Sequence, residues 1–128
     1  MPGKHLFEYA VIRVVPKVER EEFLNVGIIL FCAEQRFLKM VFDLNEERLG
    51  LFSKSLDVEE VKERLCAFQQ ICKGGREGGA IGQLPMSGRF RWLTANRSTV
   101  LQTSAVHPGF CEDAEGMLMK LVGELVVC

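Results

Sequence analysis

Two apolar runs with a short polar break between them make up residues 23–43, F-L-N-V-G-I-I-L-F-C-A-E-Q-R-F-L-K-M-V-F-D. β-Branched and aromatic residues crowd both runs, which is typical of β-strands. The break at residues 33–35 has the length of a hairpin connection, so the two strands are expected to pair antiparallel. This stretch therefore predicts a β-hairpin at the centre of the fold.

A further strand is predicted ahead of the hairpin, at residues 8–15, E-Y-A-V-I-R-V-V, and Pro16 ends it. Side chains alternate between the two faces of a sheet, so the three strands predict one apolar face and one mixed face. The apolar face is predicted to hold Ala10, Ile12, Val14, Leu24, Val26, Ile28, Leu30, Leu38, Met40 and Phe42. The mixed face, expected to support a site or an interface, is predicted to hold Tyr9, Val11, Arg13, Asn25, Gly27, Ile29, Lys39, Val41 and Asp43.

Two longer helices are predicted after the strands. Asp57 and Glu60 have the spacing of a capping box, and apolar residues then recur at steps of three and four as far as Cys72. A second amphipathic helix is predicted over about residues 113–127. The predicted fold is therefore α+β: a single domain with an antiparallel sheet of four to five strands and two longer helices packed on one face.

The composition is that of one globular domain, with 128 residues, 48% hydrophobic side chains and a formal net charge of −1. No apolar run is long enough for a membrane span.

Five cysteines at irregular spacing, with no C-x-x-C pair and no recognisable signal peptide, predict a reduced cytoplasmic protein. A zinc site from His107, Cys111, Cys66 and Cys72 has atypical spacing, so neither metal nor cofactor is predicted. The oligomeric state and any redox role of the thiols stay open.

The chemistry is concentrated in residues 89–109, R-F-R-W-L-T-A-N-R-S-T-V-L-Q-T-S-A-V-H-P-G. The whole interval between Glu77 and Glu112 lacks acidic residues, which favours an anion or a polar partner there. Residues 89–93 are predicted to be extended, with Arg89 and Arg91 on the face opposite Phe90 and Trp92. That separation argues against a single-strand nucleic-acid platform, which needs aromatic and basic groups on one surface. Structural ion pairing and anion binding both remain open for these arginines.

Residues 97–107 are predicted to form another strand, and Arg97 is the favoured binding residue because its guanidinium grips a phosphate or carboxylate with two hydrogen bonds. The predicted binding set is Arg97, Arg91, Arg89, Arg13, Asn25 and Gln102.

If the protein is an enzyme, His107 is the candidate base with Ser98 or Ser104 as nucleophile. No nucleophile elbow accompanies them, and a purely structural role is open for each. The glycine-rich residues 74–88 lack the lysine and hydroxyl of a phosphate loop and predict a mobile connection.

The segments Y-A-V-I-R-V-V-P, E-F-L-N-V-G-I-I-L-F and residues 89–109 resemble, in this order, the bacterial domain-of-unknown-function family 3037. The resemblance implies a small protein encoded beside a kinase-like protein related to the HipA toxins, and hence a protein partner. The motif positions that it implies are Arg13, Asn25, Gly27, Arg91, Trp92, Arg97, Ser98, Gln102, Ser104 and His107. Asn96 and Ala105 stand where the family pattern tends towards proline, which affects turn geometry.

Residues and resemblance together predict a non-enzymatic binding or regulatory module for a partner protein or a phosphorylated ligand. A small hydrolase or transferase using His107 is the alternative, and nucleic-acid binding is a weaker one.

Overall fold

The computed structural model describes residues 4–16, 22–52, 56–97 and 99–126. The chain begins with three antiparallel strands, β1 (His5–Val14), β2 (Leu24–Cys32) and β3 (Phe37–Phe42). The hairpin predicted around residues 33–35 is confirmed, and Arg36 closes its turn with a φ of 51°. The meander therefore forms where the sequence predicts it.

Helices occupy the middle of the chain: α1 (Glu46–Phe52), α2 (Val58–Lys73), α3 (Gly79–Gly82) and α4 (Met86–Leu93). The side chain of Asp57 accepts a hydrogen bond from the Glu60 N–H, so the predicted N-cap of α2 is confirmed. Residues 74–88 were predicted to be a mobile connection, but they contain a 3₁₀ turn at Arg76–Gly78, the helix α3 and the start of α4. None of the helices in the described ranges is long and apolar enough to cross a membrane.

Two short strands, β4 (Leu101–Thr103) and β5 (His107–Cys111), and a last helix, α5 (Ala114–Leu125), complete the fold. Both strands pair with β1, β4 along its second half and β5 along its first half. The five strands form one antiparallel sheet with the order β3-β2-β1-β4. The predicted α+β class and the predicted number of strands are thus confirmed.

The two longer helices lie on opposite faces of the sheet, so the prediction that both pack on one face is not confirmed. Val61, Leu65 and Phe68 of α2 pack in one cluster with Ala10 and Ile12 of β1. The residues of α5 pack in a separate cluster on the other face, together with Phe7, Val11, Ile28, Leu30 and Cys32. The face that carries Tyr9 and Val11, predicted to be the mixed one, is therefore covered by α5, whereas Ile29, assigned to the same face, packs in the α2 cluster.

The register of β2 against β1 explains why the observed faces of the sheet differ from the predicted ones. Val11 pairs with Ile28 and Tyr9 with Leu30, so Ile28 and Leu30 lie on the α5 face and not on the face of Ala10 and Ile12. The apolar run of β2 has no polar alternation to fix which residues face which side. A bulge at Val26 then shifts the alternation, and Asn25 comes to lie beside Arg13 on the α5 face.

Candidate functional site

The helix α4 replaces the extended segment predicted at residues 89–93. Arg89, Phe90 and Leu93 are buried on one side of the helix, whereas Arg91 and Trp92 are exposed on the other. Phe90 stacks on Phe31 of β2, with ring centroids 5.4 Å apart. The alternation R-F-R-W fits a strand and a single helical turn equally well, which is why the sequence did not distinguish them.

Arg97 is held at the C-terminal end of α4. Its Nη1 donates to the carbonyl oxygens of Leu93 at 2.9 Å and Ala95 at 3.2 Å, and its Nη2 donates to the carbonyl oxygen of Trp92. The carbonyls of Trp92 and Leu93 belong to the last turn of α4, where a helix leaves its carbonyls without intrahelical donors. Partial burial lowers the pKa of Arg97 from its ordinary value. The residue favoured from the sequence thus serves as a cap for the helix.

Arg97 also fixes the orientation of Trp92. Its guanidinium carbon lies 4.5 Å from the centre of the Trp92 ring and 5.0 Å from that of Phe68, an arrangement that permits cation–π attraction to both rings. Phe68 meets Trp92 edge to face at 6.1 Å between ring centroids. Trp92 nevertheless keeps 37% of its surface exposed. It is an aromatic side chain held rigidly on the surface.

The exposed side of α4 combines apolar surface with an available positive charge. Leu84 is 40% exposed and lies just before α4, and Gly88 lies one helical turn before Trp92. Gly88 has no side chain, and the Leu84 side chain lies against it. Arg91 is exposed and has no hydrogen bond or ion pair within the described residues. We call Leu84, Ser87, Gly88, Arg91 and Trp92 the α4 surface.

The remaining predicted binding residues lie elsewhere. Arg13, Asn25 and Gln102 are brought together on adjacent strands, because Arg13 pairs with both of the others. Asn25 donates to the Leu125 carbonyl of α5 at 3.1 Å, and the Arg13 guanidinium carbon lies 4.0 Å from the centre of the Phe23 ring. Gln102 donates to the Thr99 carbonyl at 2.9 Å. Of the three, Asn25 connects the sheet to α5 through a hydrogen bond.

Arg89 is 8% exposed, and its buried Nε has no hydrogen-bond partner in the described part of the chain. Its guanidinium lies against Gly74, at the end of α2. It is therefore separate from the α4 surface, although it belongs to the same helix.

Among the described candidate catalytic residues, Ser104 and His107 make no hydrogen bond to each other. The Ser104 hydroxyl accepts from the Val11 N–H and donates to the Ala105 carbonyl, both at 2.9 Å, and so bridges the gap between β4 and β5. His107 is exposed on β5 and lies 5.3 Å from the Tyr9 ring, measured between centroids. Ser98 lies outside the described residues. The structure thus gives Ser104 a role in completing the sheet.

Burial disfavours the thiolate form of two cysteines, Cys72 and Cys111. Burial raises the pKa of Cys72 to about 12, and the nearby Arg89 lowers it only in part. Burial is also the largest cause that raises the pKa of Cys111. Among the residues that the structure describes, no three His, Cys, Asp or Glu side chains come close enough to hold a metal ion.

The fold defines a small α+β protein that exposes a tryptophan and an arginine on one short helix. The chain belongs to the family described as "Protein of unknown function (DUF3037)", which matches residues 9–126. The resemblance seen in the sequence is thereby confirmed. Neither a curated protein nor a solved structure matches the chain.

Sequence reasoning missed Leu84 as part of this surface, and it missed Phe68 as the ring against which Trp92 packs. The spacing of Gly88 and Trp92 is that of one side of a helix, but the glycines that precede them favoured a loop.

Proposed function

We propose that the protein is a non-enzymatic binding module that docks onto a partner protein through the α4 surface. The observation that carries this proposal is the exposed Trp92 ring, held in place by Arg97 and Phe68. Tryptophan and arginine dominate the binding energy of protein interfaces, and a ring already fixed in one orientation loses little entropy on binding.

Charge supports a partner that presents a carboxylate or phosphate beside an apolar pocket. Arg91 has no acidic neighbour in sequence, since residues 78–111 contain no Asp or Glu. Its planar guanidinium suits a two-point hydrogen bond to such a group. A kinase-like protein, which the family resemblance implies, would be a partner of this kind.

The enzymatic alternative receives no support from the site. A nucleophilic Ser104 would have to give up its hydrogen bonds to Val11 and Ala105, which complete the sheet. Nucleic-acid binding is equally unsupported by the arginines, because Arg89 is buried and Arg97 is occupied by carbonyls. Arg91 alone gives too little phosphate contact for strong binding.

The test is capture of proteins from an extract of the source cells by the immobilised wild type and by single variants. Trp92→Ala and Arg91→Glu are expected to lose a stoichiometric partner that the wild type retains, as identified by mass spectrometry. Leu51→Ala is the control, because Leu51 is 83% exposed and belongs to α1. Capture that is the same for all four proteins would overturn the proposed surface. Capture of no protein by the wild type would overturn the proposed function.

A further inference from the structure

A cleft of about 220 Å³ lies between the edge strand β3 and the C-terminal part of α2. Its walls are formed by three consecutive residues of the strand and three of the helix: Leu38, Lys39, Met40, Gln69, Cys72 and Lys73. The cleft has no part in the α4 surface.

The strand side of the cleft carries unpaired backbone groups. The Asp43 N–H donates to the Val26 carbonyl at 2.8 Å, and the β2–β3 register continues without a shift from there. Hydrogen-bonded positions alternate in an antiparallel ladder, so the N–H and C=O groups of Met40 and Leu38 point away from β2. No other strand pairs with β3 in the described chain.

The side chains that line the cleft make one part of it apolar and one end of it basic. Leu38 and Met40 belong to the apolar cluster between the sheet and α2. Gln69 and Lys73 have neither a hydrogen bond nor an ion pair within the described ranges, and Lys73 is exposed. Lys39 is already paired with Glu115, so Lys73 supplies the available ammonium group.

Arg89 adds a second positive charge, which is buried near the basic end of the cleft. It is only 8% exposed, its Nε is buried without a partner, and it makes no hydrogen bond or ion pair with the described residues. Its guanidinium lies against Gly74, the residue after Lys73. A buried arginine without a partner is costly, and an anion nearby reduces that cost.

We infer that this cleft binds an extended acidic peptide, which adds to the free edge of β3 as a further strand. The backbone of the peptide would pair with Leu38 and Met40, one apolar side chain would enter the cleft, and a carboxylate would lie near Lys73 and Arg89. Strand addition supplies affinity through main-chain hydrogen bonds and selectivity through alternate side chains. This inference does not depend on the proposed function of the α4 surface.

The test begins with selection from a display library of random short peptides against the intact wild-type protein. Selected peptides are expected to be enriched in Asp and Glu and to slow amide hydrogen exchange at Leu38 and Met40. Failure to enrich any peptide, or protection of amides elsewhere than β3, would overturn the inference.

Variants then separate backbone pairing from side-chain contact. Leu38→Pro removes an outward N–H that β2 does not use and is expected to weaken binding roughly tenfold or more. Leu38→Ala keeps that N–H and controls for the lost side chain. Equal affinity of the Pro and Ala variants would contradict strand addition. The exchange measurement on the wild type decides the same point if the Pro variant does not fold.

Charge reversal tests the basic end. Lys73→Glu is expected to weaken the selected acidic peptides by about tenfold, whereas Lys120→Glu, a change of equal charge on the exposed side of α5, leaves them unaffected. An equal effect of both would mean that only the net charge matters and would overturn the site. Trp92→Ala is expected to leave peptide affinity unchanged, so this site and the α4 surface can fail separately.

Discussion

At the scale of single residues, the positions of Arg97 and Ser104 show why chemical type alone does not identify a site. Both belong to a segment rich in donors, and both were candidates from the sequence. In the fold, Arg97 donates to the carbonyls at the end of α4, and the Ser104 hydroxyl takes the place of a backbone partner in the sheet. A guanidinium and a hydroxyl satisfy backbone groups as readily as ligands. Only the tertiary structure distinguishes these uses.

Replacement of Arg97 by Ala should lower the free energy of unfolding by about 1–3 kcal/mol, because three carbonyls lose a charged donor. Urea unfolding monitored by circular dichroism measures this change. Arg97→Lys should recover only part of the loss, since an ammonium group cannot reproduce the planar fork. An Arg97→Ala protein as stable as the wild type would argue that the residue is reserved for a ligand.

Ser104→Ala should destabilise the protein by about 1–3 kcal/mol, because the buried Val11 N–H loses its acceptor. His107→Ala should change stability by less than about 1 kcal/mol, since His107 is exposed. Thermal unfolding of the two variants checks the contrast. If His107→Ala destabilised the protein more than Ser104→Ala, a catalytic role for these two residues would again be open.

At the scale of elements, the sequence predicted those with a strong local signal. The β2–β3 hairpin, the cap of α2 at Asp57 and the last helix all agree with the structure. The strand predicted over residues 97–107 is only partly present, because the chain leaves β1 at Ser104 and returns to it at His107. The helix α4 was missed because its eight residues contain too few turns to establish a period.

Gly74 at the end of α2 allows a specific test of how the glycine-rich segment folds. Its φ is 84° and its ψ is 168°, a region open essentially to glycine, and a β-carbon there would collide with Nη1 of the buried Arg89. Gly74→Ala should therefore cost more than the roughly 1–3 kcal/mol of backbone strain alone.

Gly79→Ala is the matched control, because Gly79 also has a positive φ, 67°, but has no atom near the added carbon. The two variants are compared by their free energies of unfolding in urea, and the difference between them measures the effect of the contact with Arg89. Equal losses would mean that Arg89 moves aside freely, and a fixed buried guanidinium beside the peptide cleft would then be contradicted.

At the scale of the whole molecule, the sheet is covered on both faces. The α+β class followed from the sequence, but the placement of one longer helix on each face of the sheet did not. The apolar residues of β2 suit either face, so the register with β1 decided which helix covers which residues. The segment that holds Arg91 and Trp92 was identified from composition, whereas the helical surface on which they lie depended on the packing of α4 against α2.

The buried Cys72 should make the whole protein less stable at alkaline pH. Its thiol ionises near the ordinary pKa of 9.0 when the chain is unfolded, but burial raises the pKa to about 12 in the fold. Between these values the unfolded state releases a proton that the folded state keeps, so stability falls as the pH rises above 9.0. Cys72→Ala should flatten this decline in urea unfolding measured across alkaline pH. An unchanged slope would contradict the burial argument.

The most direct test of the α4 surface is a hydrogen-exchange map of the wild-type chain, alone and in complex with the protein that it captures. The account predicts slower amide exchange in α4 and in the residues that follow it to Arg97, with no change across α5. Protection confined to α5 or β5, with α4 unaffected, would contradict the proposal that the partner docks onto Trp92 and Arg91.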